Sequence, residues 1–274
     1  MKYTLFSLGY RCTSAGILKH LNIKNESYPF DWLISRLPII KDCIETDFQH
    51  FLNKENYEKK ETQTIHYSAI NQPFLICNEN ILFNNYYQEK FNNNELMIPE
   101  PLKTPIDTYA YYLATNHRNI LYETDYDYFQ RCIERFKVLI NNPNPKMYLH
   151  IHPVISIEEY KTQKEKLLNQ FLSFQNYMAS LNKETIITGI FFIIVRTNYD
   201  YPITNHISEI IESIYYNLPN ENNINDINDV YLKEKCAIYI LYTHKDFIDA
   251  GEIFMQDNNE LETSTLIKVI KSFI

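Results

Sequence analysis

Glycine is nearly absent: Gly9, Gly16, Gly189 and Gly251 are the only 4 in 274 residues. A loop that cradles phosphate needs several glycines within a few positions, so neither a G-x-G-x-x-G nor a Walker A loop can be built here. Ordinary dinucleotide and P-loop enzymes are thereby disfavoured, although enzymes acting on nucleotide sugars are not. An excess of basic charge is also missing. The net charge is −8 and no long Lys/Arg run occurs, which argues against nucleic acid and anionic membrane as partners, since both require a positive field. The longest apolar runs, such as IITGIFFIIV, reach about half a membrane-spanning length. Cys12, Cys43, Cys77, Cys132 and Cys236 lack C-x-x-C spacing and predict free thiols in a reducing compartment. The start enters a strand directly, without a signal-peptide pattern. The expected location is cytoplasmic, or host-cell cytoplasm or virion for a viral chain.

What is present is an ordinary soluble composition, 45% hydrophobic and 22% charged, with an aromatic share of 15%. The favoured residues (Asn, Ile, Lys, Tyr, Phe) share AT-rich codons, so genome composition suffices to explain them. Four apolar runs read as strands covered on both faces: 3–8, 146–151, 188–195 and 236–242. Amphipathic segments at 13–21, 37–52, 127–140, 156–181, 204–218 and 264–273 read as helices. This alternation predicts a single α/β domain over 1–274, a layered sandwich with a mostly parallel central sheet flanked by helices. The segment 53–105 fits least well and reads as an irregular insertion carrying a hairpin, PFLICNENILFNNYY, with its turn at NEN.

The order YTLFSL, Gly9, Cys12 reads as a strand, a turn and the opening of a helix. A thiol there meets the positive end of a helix dipole and free N–H groups, which favour the thiolate. It also lies at the carboxyl end of a strand, where open α/β sheets bind ligands. Arg11 would favour the thiolate further or hold an anionic substrate. The competing reading makes Cys12 a small buried residue that packs helix on sheet.

A nucleophilic cysteine needs a base and an orienting group. His152 and His244 each sit after a predicted strand at that same edge and are the candidate bases. His20, His50 and His206 occupy surface or helical positions, while His66 and His117 fall in the irregular segment. His150 and His152 form an H-x-H pair on one face of a strand, but no third ligand with suitable spacing appears, so neither metal nor other cofactor is expected. In SYPFDW, Asp31 is placed to orient a histidine or to cap a helix at LISRL. Trp32, the sole tryptophan, offers a stacking surface.

Taken together, SLGYRC, ESYPFDWLIS and DFQHFL resemble the N-terminal signature SLG-x-x-C, PFDW, F-x-x-F-L of the putative papain-like cysteine peptidases of bacteria and large DNA viruses. YFQRCIERFKVLI, with Arg131, Arg135 and Phe136 in step, is similar to the family's R-R-I-x-R-F helix. KMYLHI falls on its L-F-I-R strand, with His150 in place of arginine. Where the family has F-x-H-D-F, this chain reads LFNNYY, which puts Asn84 or Asn85 in the histidine's place. The resemblance implies a cysteine-dependent hydrolase with Cys12 as nucleophile, completed by a histidine (His244 or His152) and an acid (Asp31). Gly9, Arg11 and Trp32 would bind a peptide, ester or glycan-linked substrate. Two alternatives stand beside it: a sugar- or nucleotide-modifying α/β enzyme with a structural Cys12, and a binding protein descended from such an enzyme. The sequence leaves substrate and oligomeric state open.

Overall fold

The computed structural model describes residues 3–9, 12–67, 73–92, 113–115, 118–154, 157–196, 236–243 and 270–271. In chain order the elements begin with β1 (Thr4–Ser7), α1 (Thr13–His20), β2 (Leu33–Ile34), α2 (Leu37–Glu45) and α3 (Gln49–Leu52). Next come β3 (Tyr57–Tyr67), β4 (Pro73–Asn84), α4 (Asn85–Asn92), β5 (Ala114–Thr115) and α5 (Glu123–Asn141). The series closes with β6 (Lys146–Val154), α6 (Ile157–Leu181), β7 (Ile187–Arg196) and β8 (Ala237–Thr243). They fall into two compact units. One comprises Met1–Leu8, Thr13–Glu26 and Val138–Ile274, the other Gly9–Cys12 and Ser27–Lys137.

The first unit is the expected α/β layer, a four-stranded sheet in the order β1-β6-β7-β8 with every pair parallel. Its strands are largely apolar because both faces are covered. Leu5, Met147, Leu149, Ile151, Ile190, Phe192 and Ile194 form one face and pack with Ile17 and Leu18 of α1. The alternate residues Tyr148, His150 and Phe191 meet α6, where Phe171 stacks on Phe191 at 4.6 Å. Gly189 is required here by a close approach, since a Cβ on it would lie 2.6 Å from the Tyr148 phenol. That phenol cannot give way easily: it is fully buried and donates to Gln175 Oε1 at 2.8 Å.

The second unit carries an antiparallel sheet in the order β2-β5-β4-β3. Three expectations are corrected there. PFLICNENILFN is one continuous strand, β4, paired along its length with β3, so no turn forms at NEN; its backbone finds ladder partners on β3 at those positions. LISRL does not open a helix, because Leu33 and Ile34 pair with Thr115 and Ala114 as a strand. The helix starts at Leu37, with Pro38 in its first turn, where the missing N–H costs nothing. The helix expected over 37–52 is two helices. Between them Asp47 (φ 50°) and Phe48 (φ 61°) turn left-handed, and Phe48 N–H closes back on Cys43 O at 2.7 Å.

With so little glycine, left-handed positions fall to other residues. Asn22 (φ 55°) ends α1, and Ile23 N–H returns to Leu18 O at 3.0 Å in the manner of a helix C-terminal motif. Among the described residues no helix is long and apolar enough to cross a membrane. The helix expected at 204–218 lies outside the described residues. Of the one expected at 264–273, Ile270 and Lys271 are described and are helical.

Gly189→Ala should lower stability by roughly 1–3 kcal/mol, the cost of overpacking a closed site. Urea unfolding followed by circular dichroism checks this; an unchanged midpoint would show that the Tyr148 ring can move.

Candidate functional site

Four stretches of the sequence meet inside the second unit. Gly9 sits at φ +33°, a left-handed conformation, and a Cβ on it would lie 3.2 Å from Ser35 Oγ, 3.6 Å from Phe30 O and 3.7 Å from Ile40 Cδ1. Gly9 is therefore seated on the PFDWLIS segment, and only glycine meets both the angle and the spacing. Phe30 is fixed in turn by an aromatic cluster. Its ring lies 5.7 Å from Phe48 and edge-on to Phe136 at 6.0 Å. Phe48 meets Phe51 at 5.9 Å, and Phe51 meets Phe129 at 5.3 Å. All five rings are buried. The FQHF segment and the RCIERF helix thus supply the packing that holds PFDW in place.

Asp31 is fully buried, and its Oδ2 accepts the Tyr28 N–H at 2.7 Å. The carboxylate therefore ties down its own loop and does not cap a helix at LISRL as expected. Cys12 is a half-buried free thiol, the last residue before α1. Trp32 is half-buried beside it in sequence to Asp31. Arg11 and His244 lie outside the described residues.

In the first unit, His152 lies within β6 instead of beyond its end, because the strand continues to Val154. It is buried, with its ring 5.6 Å from Phe171. His150 is fully buried, and its Nδ1 lies 2.6 Å from the Leu8 carbonyl. A carbonyl only accepts, so Nδ1 carries the proton and donates to it. The two rings share a face as expected, at 6.1 Å between centroids. Among the described residues no group of three or more His, Cys, Asp or Glu side chains could hold a metal.

Asn84, one of the two asparagines on which the resemblance puts an expected histidine, is fully buried. Its amide donates to the His50 carbonyl at 2.9 Å, and its backbone N–H to Leu113 O at 2.9 Å. Its Oδ1 is buried without a hydrogen-bond partner among the described residues. Sequence reasoning passed over Ser35 and the joint role of Phe48 and Phe136. Ser35 gives no signal of its own, whereas the spacing of the phenylalanines was visible without their partners.

The other described thiols are poor nucleophiles. Burial pushes Cys43 far above its ordinary range, and its sulfur lies 3.0 Å from the Tyr87 hydroxyl. Burial likewise pushes Cys236 up to about 12, and Cys132 is fully buried.

The model of the family described as "Putative papain-like cysteine peptidase (DUF1796)" matches residues 3–192. That is more than half of the chain, which belongs to this family. No curated protein and no solved structure matches it.

Because the thiolate is the attacking form, alkylation of native Cys236 by iodoacetamide should be very slow at pH 8. Its rate should climb about tenfold per pH unit up to about pH 12, as the thiolate fraction does. Peptide mapping after timed labelling checks this; a Cys236 rate that levels off below pH 9 would contradict it.

Proposed function

We propose that the protein is a cysteine-dependent hydrolase in which Cys12 is the nucleophile. The observation that carries this reading is the seating of the Gly9 turn on the Phe30–Ser35 segment in a chain of this family. A glycine-shaped turn held on a rigid base, followed directly by a half-buried cysteine, is what a positioned nucleophile requires. The thiolate attacks the carbonyl carbon of an amide or ester, and the pair of electrons moves to the carbonyl oxygen. Backbone N–H groups between Gly9 and Cys12 stabilise that oxyanion. Collapse expels the amine or alcohol, which takes a proton from the base, and water then hydrolyses the thioester.

His152 or His244 serves as the base, and Asp31 is the acid of the site. The family match ends at residue 192, which favours His152, since His244 lies beyond it. Gly9, Arg11 and Trp32 form the substrate-binding side. The substrate is a peptide, an ester or an acyl-linked glycan, and the protein works in a reducing, cytoplasmic setting.

The buried Asn84, whose amide donates to the His50 carbonyl, favours a second reading. With an asparagine in place of the family's histidine, the protein would bind the same class of ligand without turning it over.

Cys12→Ser should abolish hydrolysis of activated acyl esters while leaving the melting temperature within a few degrees of the parent. His152→Gln should slow it by about 10²–10⁴-fold, the usual contribution of general acid–base catalysis. Retained hydrolysis in Cys12→Ser would overturn the hydrolase reading. Full activity in His152→Gln together with loss in His244→Gln would move the base to His244.

A further inference from the structure

We infer that Ser35 is a positioning residue for the Cys12 turn: its hydroxyl is held in reserve to hydrogen-bond the Gly9 backbone when the turn takes up its reacting geometry. This rests on the reading of Cys12 as nucleophile. Ser35 is fully buried, yet its Oγ has no hydrogen-bond partner among the described residues. A buried hydroxyl left unpaired costs about 1–3 kcal/mol, and alanine would fill the same space without that cost. Such a group calls for a role outside resting packing.

The place where the hydroxyl lies suggests that role. Ser35 Oγ is the nearest atom to the side-chain position of Gly9, at 3.2 Å. Gly9 is held left-handed at φ +33°, and glycine alone among residues can leave that conformation at little steric cost. A small rotation of the Gly9 peptide toward Ser35 would give the hydroxyl its partner. The same rotation would shift the backbone at Gly9, three positions before Cys12. The rigid side of the pair is Ser35, since β2 and the aromatic cluster at Phe30 fix the segment that carries it. The hydroxyl itself is too deeply buried to touch substrate, so it acts through the backbone.

Two reactions of the same thiol separate this role from simple packing. Alkylation by iodoacetamide displaces iodide and creates no oxyanion, whereas acylation by p-nitrophenyl acetate passes through one. Ser35→Ala should leave the alkylation rate of Cys12 and the urea midpoint unchanged, or raise the midpoint. It should slow acylation of Cys12 by about tenfold or more, as a misplaced turn would. Ser35→Thr, which keeps the hydroxyl, should restore acylation if it folds. Equal acylation rates in the parent and Ser35→Ala would overturn the inference and leave the nucleophile intact. A clear fall in stability of Ser35→Ala would also overturn it, because the hydroxyl would then be bonded at rest. If parent acylation does not depend on Cys12, as judged against Cys12→Ala, the hydrolase reading fails and the inference with it.

Discussion

The packing of Phe30 against Phe48 and Phe136 is the contact on which the second unit depends. Burying a phenylalanine contributes about 1.5–3 kcal/mol, and each tilted or edge-on ring pair adds about 0.5–1.5 kcal/mol. That stabilisation is large enough to hold Phe48 at φ 61°, a conformation that costs a bulky residue on the order of 1–3 kcal/mol. The left-handed corner turns α3 away from α2 and brings Phe51 to Phe129. With Phe30 fixed, its carbonyl and Ser35 form the bed on which Gly9 rests. Remove the rings and the turn before Cys12 loses its support.

The first unit follows a different logic. Its sheet is covered on both faces, so polar side chains on β6 must find partners inside. His150 does so with the carbonyl of Leu8, at the point where β1 ends and where Leu8 N–H also reaches Leu149 O at 2.9 Å. Both backbone groups of Leu8 are thereby engaged by β6. His152 packs on Phe171. Tyr148 and Gln175 complete this face with a buried hydrogen bond, at the expense of any side chain on residue 189.

The parallel sheet was legible because continuous apolar runs of strand length have few other homes. Phe191 to Val195 are all buried, and three of the predicted strands end within about one residue of the observed ones, the usual uncertainty of element ends, while β6 runs on past the predicted end to Val154. The second unit was harder. NEN looked like a turn because three polar residues interrupt two apolar runs, although its backbone merely continues the ladder with β3. The short strand at Leu33–Ile34 is set by a partner, Ala114–Thr115, far away in the chain. The corner at Asp47 and Phe48 carries no glycine to announce it. Of the site, the turn, the cysteine and the PFDW segment could be read from the sequence, and their contact could not. Ser35 emerges only from an unbonded hydroxyl, which is a property of the packed structure.

Membership of a family described as putative papain-like cysteine peptidases and the seating of Gly9 are the two supports of the proposal that Cys12 is the reactive group. The other described thiols lack either exposure or thiolate character. A peptidyl vinyl sulfone tests this directly, because it is nearly inert to ordinary thiols and captures a positioned, activated cysteine as a stable thioether. Intact-mass measurement followed by peptide mapping should show a single adduct on Cys12, absent after unfolding in urea. No adduct on the native protein, or an adduct on another cysteine, would contradict the account.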